Sequence, residues 1–145
     1  MTHYTSYDLI EWAKPFEKRK NPLPKPKGSE VLIRVTAAGL CHSDLHVQKG
    51  YMDLGNEGRL TFAERGAELP MTFGHEIAGV VENTGPDAGA FKIGQQVLVF
   101  PWIGCGECTA CHEERESDCA SMRIIGLKQK GGFATHCLVE HEKFL

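Results

Sequence analysis

Cys105-Gly106-Glu107-Cys108-Thr109-Ala110-Cys111, followed after a charged spacer by Cys119, is the stretch whose reading decides the fold. Two C-x₂-C steps share Cys108, and four thiols at this spacing can wrap one Zn²⁺ tetrahedrally, each sulfur about 2.3 Å from the metal. Three blander readings compete. A lone cysteine is often a small buried hydrophobe, but the spacer from His112 to Asp118 is polar and charged, poor surroundings for an apolar thiol cluster. Disulfides belong to oxidising compartments, and a redox dithiol needs only one C-x-x-C pair. A closed structural zinc lobe over about residues 101–122 is therefore expected.

Working outward, the 145 residues suffice for one ordinary domain with its own core. The net charge is −3 and the 16 Lys and Arg are scattered, which leaves no electrostatic footprint for nucleic acid. The opening Met1-Thr2-His3-Tyr4-Thr5-Ser6 lacks the cationic and apolar parts of a signal peptide. No run approaches the roughly 20 apolar residues of a membrane span. A cytoplasmic protein with neither nucleic-acid nor membrane partners is expected, and its reduced cysteines favour metal over disulfide.

Residues 7–12 mix aromatic and branched side chains and suggest a first strand. Pro15, Pro22, Pro24 and Pro26 break the basic stretch 14–27 into an exposed connection. The run 30–36 places Val31, Ile33 and Val35 on one face of a second strand. It delivers the chain to Cys41-His42-Ser43-Asp44, where Ser43 is a reasonable N-cap for a short helix. Residues 49–70, interrupted by glycines, read as a surface excursion with a helical turn near 61–65, of the kind that shapes a pocket mouth or merely decorates a surface. Further strands are expected at 77–82, 96–100 and 133–139, with a turn at Gly85-Pro86-Asp87. Short strands separated by glycine turns predict a mainly β protein with short helices, a β-barrel rather than a parallel α/β sheet.

Cys41, His46 and His75 form a second constellation outside the lobe. A catalytic zinc needs about three protein ligands and one open position, and Cys with His is a known combination. Cys41 lies where a strand meets a helix N-terminus, which favours the thiolate, and Glu76 can serve as partner or occasional ligand. The local pattern equally fits a structural histidine and a packed thiol. Trp102 and the 49–70 excursion either border a substrate or pack the barrel.

Taken in order, Cys41-His42-Ser43-Asp44, Gly74-His75-Glu76, Gly94-Gln95-Gln96-Val97, the four-cysteine lobe and Gly131-Gly132-Phe133-Ala134 resemble the catalytic domain of zinc-dependent alcohol dehydrogenases, within the medium-chain dehydrogenase/reductase superfamily. The resemblance spans nearly the whole chain. It implies a GroES-like β-barrel over 1–145 and assigns Cys41 and His75, with Glu76 adjacent, to a catalytic zinc. Cys105, Cys108, Cys111 and Cys119 match the structural zinc ligands. Ser43 corresponds to the hydroxyl that takes the alcohol proton, and His46 to the histidine that relays it through the cofactor ribose, which moves His46 away from the metal. His42 falls near the cofactor phosphates.

The implied reaction is reversible oxidation of an alcohol to an aldehyde or ketone with NAD or NADP, in an enzyme expected to be a homo-oligomer. The family also continues into a Rossmann cofactor domain that carries a third protein ligand. No G-x-G-x-x-G occurs here, so the isolated chain is expected to be inactive and to expose an unpaired sheet edge. Gly131-Gly132-Phe133-Ala134-Thr135-His136 departs from the family's usual continuation, and Cys137 is an extra thiol read as strand packing. The competing reading is a zinc-ribbon-like binding module without catalysis, against which the acidic charge and the lack of interleaved basic and aromatic residues weigh.

Overall fold

A computed structural model describes residues 2–145. Its elements run β1 (His3–Leu9), β2 (Glu17–Pro22), β3 (Val31–Gly39), α1 (His42–Lys49), β4 (Tyr51–Asp53), β5 (Arg59–Thr61), β6 (Met71–Thr72), β7 (Glu76–Thr84), β8 (Gln96–Val99), β9 (Trp102–Ile103), α2 (Thr109–His112), β10 (Arg123–Ile124) and β11 (His136–Val139). The mainly β architecture with short helices is as expected. A four-stranded antiparallel sheet has the order β11-β3-β7-β8, and a three-stranded one the order β2-β1-β6.

The seam between the two sheets explains the chain's last stretch. Phe133 and Thr135 bond to β1 through Tyr7 N–H to Phe133 O and Thr135 N–H to Thr5 O, both 2.8 Å. From His136 onward the same stretch pairs with β3, His136 opposite Arg34 and Val139 opposite Val31. One extended segment therefore serves both sheets, as a barrel corner requires.

Val31, Ile33, Ile77, Val81, Val99 and Val139 of the four-stranded sheet pack with Ile125 in one core cluster, each worth roughly 1.5–3 kcal/mol over leaving it in water. A second cluster packs Leu9, Val47, Phe62, Ala67 and Phe73 beneath α1. Among the described residues no helix is long and apolar enough to cross a membrane.

Four local expectations are corrected. The first strand is His3–Leu9, not 7–12, because its inward face is partly polar: Ser6 and Asp8 are buried. Asn21 Nδ2 donates to Ser6 Oγ at 2.8 Å and Thr72 Oγ1 to Asp8 Oδ1 at 2.6 Å, so no apolar alternation is needed. The 14–27 connection contains β2, a charged edge strand held by its ladder to β1 rather than by packing. Helix α1 is capped by Cys41 in extended conformation, not by Ser43, and the Asp44 carboxylate accepts the Cys41 N–H at 2.9 Å. The excursion 49–70 is built on the β4–β5 hairpin, with turns over 62–66 one residue beyond the helical turn expected.

Candidate active site and metal centres

The lobe is a loop whose ends are clasped by pairing of β9 with β10, Ile103 opposite Arg123 and Trp102 opposite Ile124. Cys105 lies at the loop entrance, Cys108 caps α2, Cys111 sits in α2 and Cys119 follows the turn Glu116–Asp118. All six cysteines of the chain are unpaired. In the lobe the sulfurs are 3.5 Å apart for Cys108 and Cys111 and 3.9 Å for Cys105 and Cys111, and all four lie within 4.8 Å of one another. Tetrahedral Zn–S bonds of 2.3 Å place sulfurs about 3.8 Å apart, whereas a disulfide needs about 2.05 Å. The arrangement fits an ion and not a bridge.

Backbone amides point at this cluster. Cys105 N–H donates to Cys119 Sγ at 3.4 Å and Glu107 N–H to Cys105 Sγ at 3.5 Å. The Glu107 amide, aided by those of Cys108 and the Cys119 thiol, holds Cys105 down at about 6. For Cys111 the Gly106 amide pulls the same way, but burial and the three neighbouring thiols together outweigh it and push the group up to about 11. Four thiols cannot all ionise at this spacing without a cation between them. Lys143 Nζ bonds Glu116 Oε1 at 2.8 Å, tying the lobe to the C-terminal turn and holding the Glu116 carboxyl below the ordinary carboxylate range.

Strand register builds the second cluster. Antiparallel pairing of β3 with β7 sets Gly39 opposite Glu76, so Cys41, just past the end of β3, and His75, just before β7, meet at one end of the sheet. The ligand atoms of Cys41, His75 and Glu76 lie within 4.8 Å of one another. Gly39 is needed there, since an added Cβ would collide with the Glu76 carboxylate. Glycine at 74 is needed too: its φ is +89°, and an added Cβ would stand 2.6 Å from the Phe133 ring.

Asp44 joins the cluster although the sequence alone does not single it out, because a carboxylate at this helix position reads simply as a cap. It is buried, and its Oδ1 lies 3.5 Å from His75 Nδ1 while Oδ2 holds the Cys41 N–H. One carboxylate thus orients both members of the cluster, leaving His75 Nε2 as the ring nitrogen available to a metal. Ser43 Oγ sits 3.0 Å from Cys41 Sγ. The structure does not join His46 to this cluster. Its ring faces that of His42 at 4.5 Å between centroids on the outer side of α1.

Ser43, Asp44 and His75 also line a cleft of about 220 Å³ whose other walls include Val47, Met52, Phe62, Trp102, Ile124 and Leu127. Trp102 pairs in β9 with its side chain exposed rather than packed inside the fold, and it borders the cleft. Phe62 and Met52 come from the hairpin region, where weak periodicity hid them.

Residues 27–145 match the model of the alcohol dehydrogenase GroES-like domain. An NAD-dependent alcohol dehydrogenase of Sulfurisphaera tokodaii is 43% identical over 138 residues, covering 94% of this chain and 38% of the relative. The D-arabinose dehydrogenase from Sulfolobus solfataricus superposes with a TM-score of 0.81 at 30% identity, over 99% of this chain and 40% of that one. A cobalt- and zinc-bound thermostable alcohol dehydrogenase from Pyrobaculum aerophilum gives 0.76 at 26% identity, over 94% and 39%. The chain thus spans well under half the length of each of these relatives. With its mainly β fold and its lobe, the chain belongs to the family of alcohol dehydrogenase GroES-like domains.

Proposed function

We propose that residues 1–145 form the catalytic domain of a zinc-dependent alcohol dehydrogenase, acting with NAD or NADP on an alcohol, aldehyde or ketone. The observation that carries this reading is the meeting of Cys41, His75 and Glu76 beside a cleft that His75 and Ser43 line, apart from a four-thiol set. Cys105, Cys108, Cys111 and Cys119 hold a structural zinc, and all four positions around it are filled by protein. Cys41 and His75, with Glu76, would hold a second zinc beside the cleft that His75 lines.

When bound, this zinc supplies Lewis acidity at the substrate oxygen, and the nicotinamide takes the hydride. The chain's own residues do the rest. The Ser43 hydroxyl, 3.0 Å from Cys41 Sγ, takes the alcohol proton on its oxygen as it hands its own proton onward. His46, one turn along α1, passes that proton toward solvent. His42 on the same side of the helix faces the cofactor phosphates. Asp44 fixes the His75 ring, and the apolar walls keep water from the reacting carbon. The working enzyme is a cytoplasmic homo-oligomer whose cofactor site lies in a Rossmann domain outside these residues.

The test is NAD(P)H formation from alcohols by the full-length natural protein. Ser43→Ala should lower turnover by about 10²–10⁴-fold with zinc content unchanged. A Ser43→Ala enzyme as fast as the parent would contradict the proton route, and an inactive parent carrying both zincs would contradict the dehydrogenase reading.

A further inference from the structure

The chain is similar both to an alcohol dehydrogenase and to a D-arabinose dehydrogenase, so family membership does not say whether the substrate is apolar or hydroxylated. We infer, resting on the dehydrogenase reading above, that the cleft selects apolar alcohols and aldehydes of about six or seven heavy atoms over polyols and sugars.

Size and lining both point this way. About 220 Å³ holds roughly seven groups the size of a water molecule. The polar side chains reaching the cleft are Ser43, Asp44 and His75. Asp44 is engaged by the Cys41 N–H and by His75, His75 is given over to Asp44 and the metal cluster, and Ser43 is the hydroxyl assigned to the reacting oxygen. Every other wall side chain is hydrocarbon, thioether or indole.

Several backbone donors in and beside the walls are taken as well. Ile125 N–H bonds Pro101 O at 3.0 Å, Gly126 N–H bonds Gln129 O at 2.7 Å, and Leu127 N–H bonds Ile124 O at 3.1 Å. On the hairpin side Phe62 N–H bonds Gly50 O at 3.0 Å. A polyol carries a hydroxyl on each carbon, and beyond the reacting one these hydroxyls meet, among the wall side chains of the described residues, one uncommitted donor, the indole N–H of Trp102. Buried hydroxyls without partners are expelled. A methylene in the same place gains by leaving water.

The hairpin sets the selectivity. Phe62 is pinned in the core beside Leu9, Val47 and Phe73, while Met52 is only partly buried and unbranched, able to repack around ligands of different width. Met52 is therefore the position at which polarity can be introduced at least cost to the fold.

The test uses the full-length natural protein with 1-butanol, 1-pentanol, 1-hexanol and D-arabinitol. From butanol to hexanol kcat/KM should rise roughly fourfold per methylene. Arabinitol should lie at least about a hundredfold below 1-pentanol. Met52→Gln, which places an amide in the cleft, should narrow that gap by roughly tenfold, and Met52→Leu should restore it.

Binding is read separately from turnover. Trp102 borders the cleft, and hexanol should change the fluorescence of the parent by a component that is missing in Trp102→Phe. Arabinitol oxidised within tenfold of pentanol, or perturbing Trp102 at the concentrations where hexanol does, overturns the selection while leaving the dehydrogenase reading intact. Absence of any oxidation, with Trp102 still ranking hexanol above butanol and arabinitol silent, removes the dehydrogenase reading and supports the apolar cleft.

Discussion

Replacing Asp44 separates orientation of the second metal cluster from stability of the fold. Its carboxylate is buried and makes two contacts of unequal quality. The bond from Cys41 N–H, at 2.9 Å, is a full hydrogen bond, whereas the 3.5 Å contact to His75 Nδ1 is longer than one and acts mainly through charge. Loss of such a supporting partner lowers metal affinity by about 10–100-fold, or about 1.4–2.7 kcal/mol.

In Asp44→Asn the amide oxygen still accepts the Cys41 N–H but the charge facing His75 is gone. Zinc affinity at the Cys41 site should fall about tenfold, with stability changed by less than about 1 kcal/mol. Asp44→Ala also strands the Cys41 N–H, so the affinity loss should approach a hundredfold and stability should drop by about 1–3 kcal/mol. Chelator competition measures the first quantity and urea unfolding the second. The zinc of the four-thiol lobe should be unmoved in both variants. Retention of parental affinity in Asp44→Asn, or equal weakening of both zincs, would refute the reasoning.

Three further outcomes follow from the same geometry. Gly39→Ala should push the Glu76 carboxylate aside, since that is what an added Cβ meets first, and weaken the second zinc several-fold in chelator competition with little change in the urea midpoint. Burial pushes the Cys137 thiol up to about 12. In the folded, metal-stripped protein it should resist a thiol reagent at pH 8 while the exposed Cys105 reacts. Because the unfolded chain releases this proton from about pH 8.5 and the native one does not, stability should fall with rising pH above that point, by at most about 1.4 kcal/mol per pH unit. Urea titrations of Cys137→Val should lack this component. Glu116 is held below its ordinary value chiefly by Lys143, so the pair contributes above the unfolded carboxyl pKa and is lost as pH falls through the lower native one. Lys143→Met should be less stable than the parent at pH 7 and indistinguishable from it in acid.

What could be read from the residues was what is local or spaced by covalent geometry. The β-branched run 31–35 revealed β3, and the four-thiol spacing revealed the lobe, because both depend on neighbours in sequence. Strand β1 was displaced because its buried Ser6 and Asp8 are satisfied by Asn21 and Thr72, partners that periodicity cannot see. Strand β2 was missed because an edge strand of charged residues is held by the ladder alone. The site divides in the same way. Cys41 and His75 were candidates from their motifs, but their meeting follows from the β3–β7 register, and the double duty of Asp44 from the capping of α1. Met52 and Phe62 enter the cleft through a short hairpin whose sequence carries no strand signal. Trp102 was legible only as an aromatic with two equal roles.

The most direct measurement is zinc content by metal analysis of the parent beside Cys108→Ser and Cys41→Ser. The parent should hold two zincs, one firm and one more easily removed by chelator. Cys108→Ser should lose the firm one, and Cys41→Ser only the weaker. A parent without zinc, or one whose single zinc is indifferent to Cys41, would contradict a catalytic metal at the cleft.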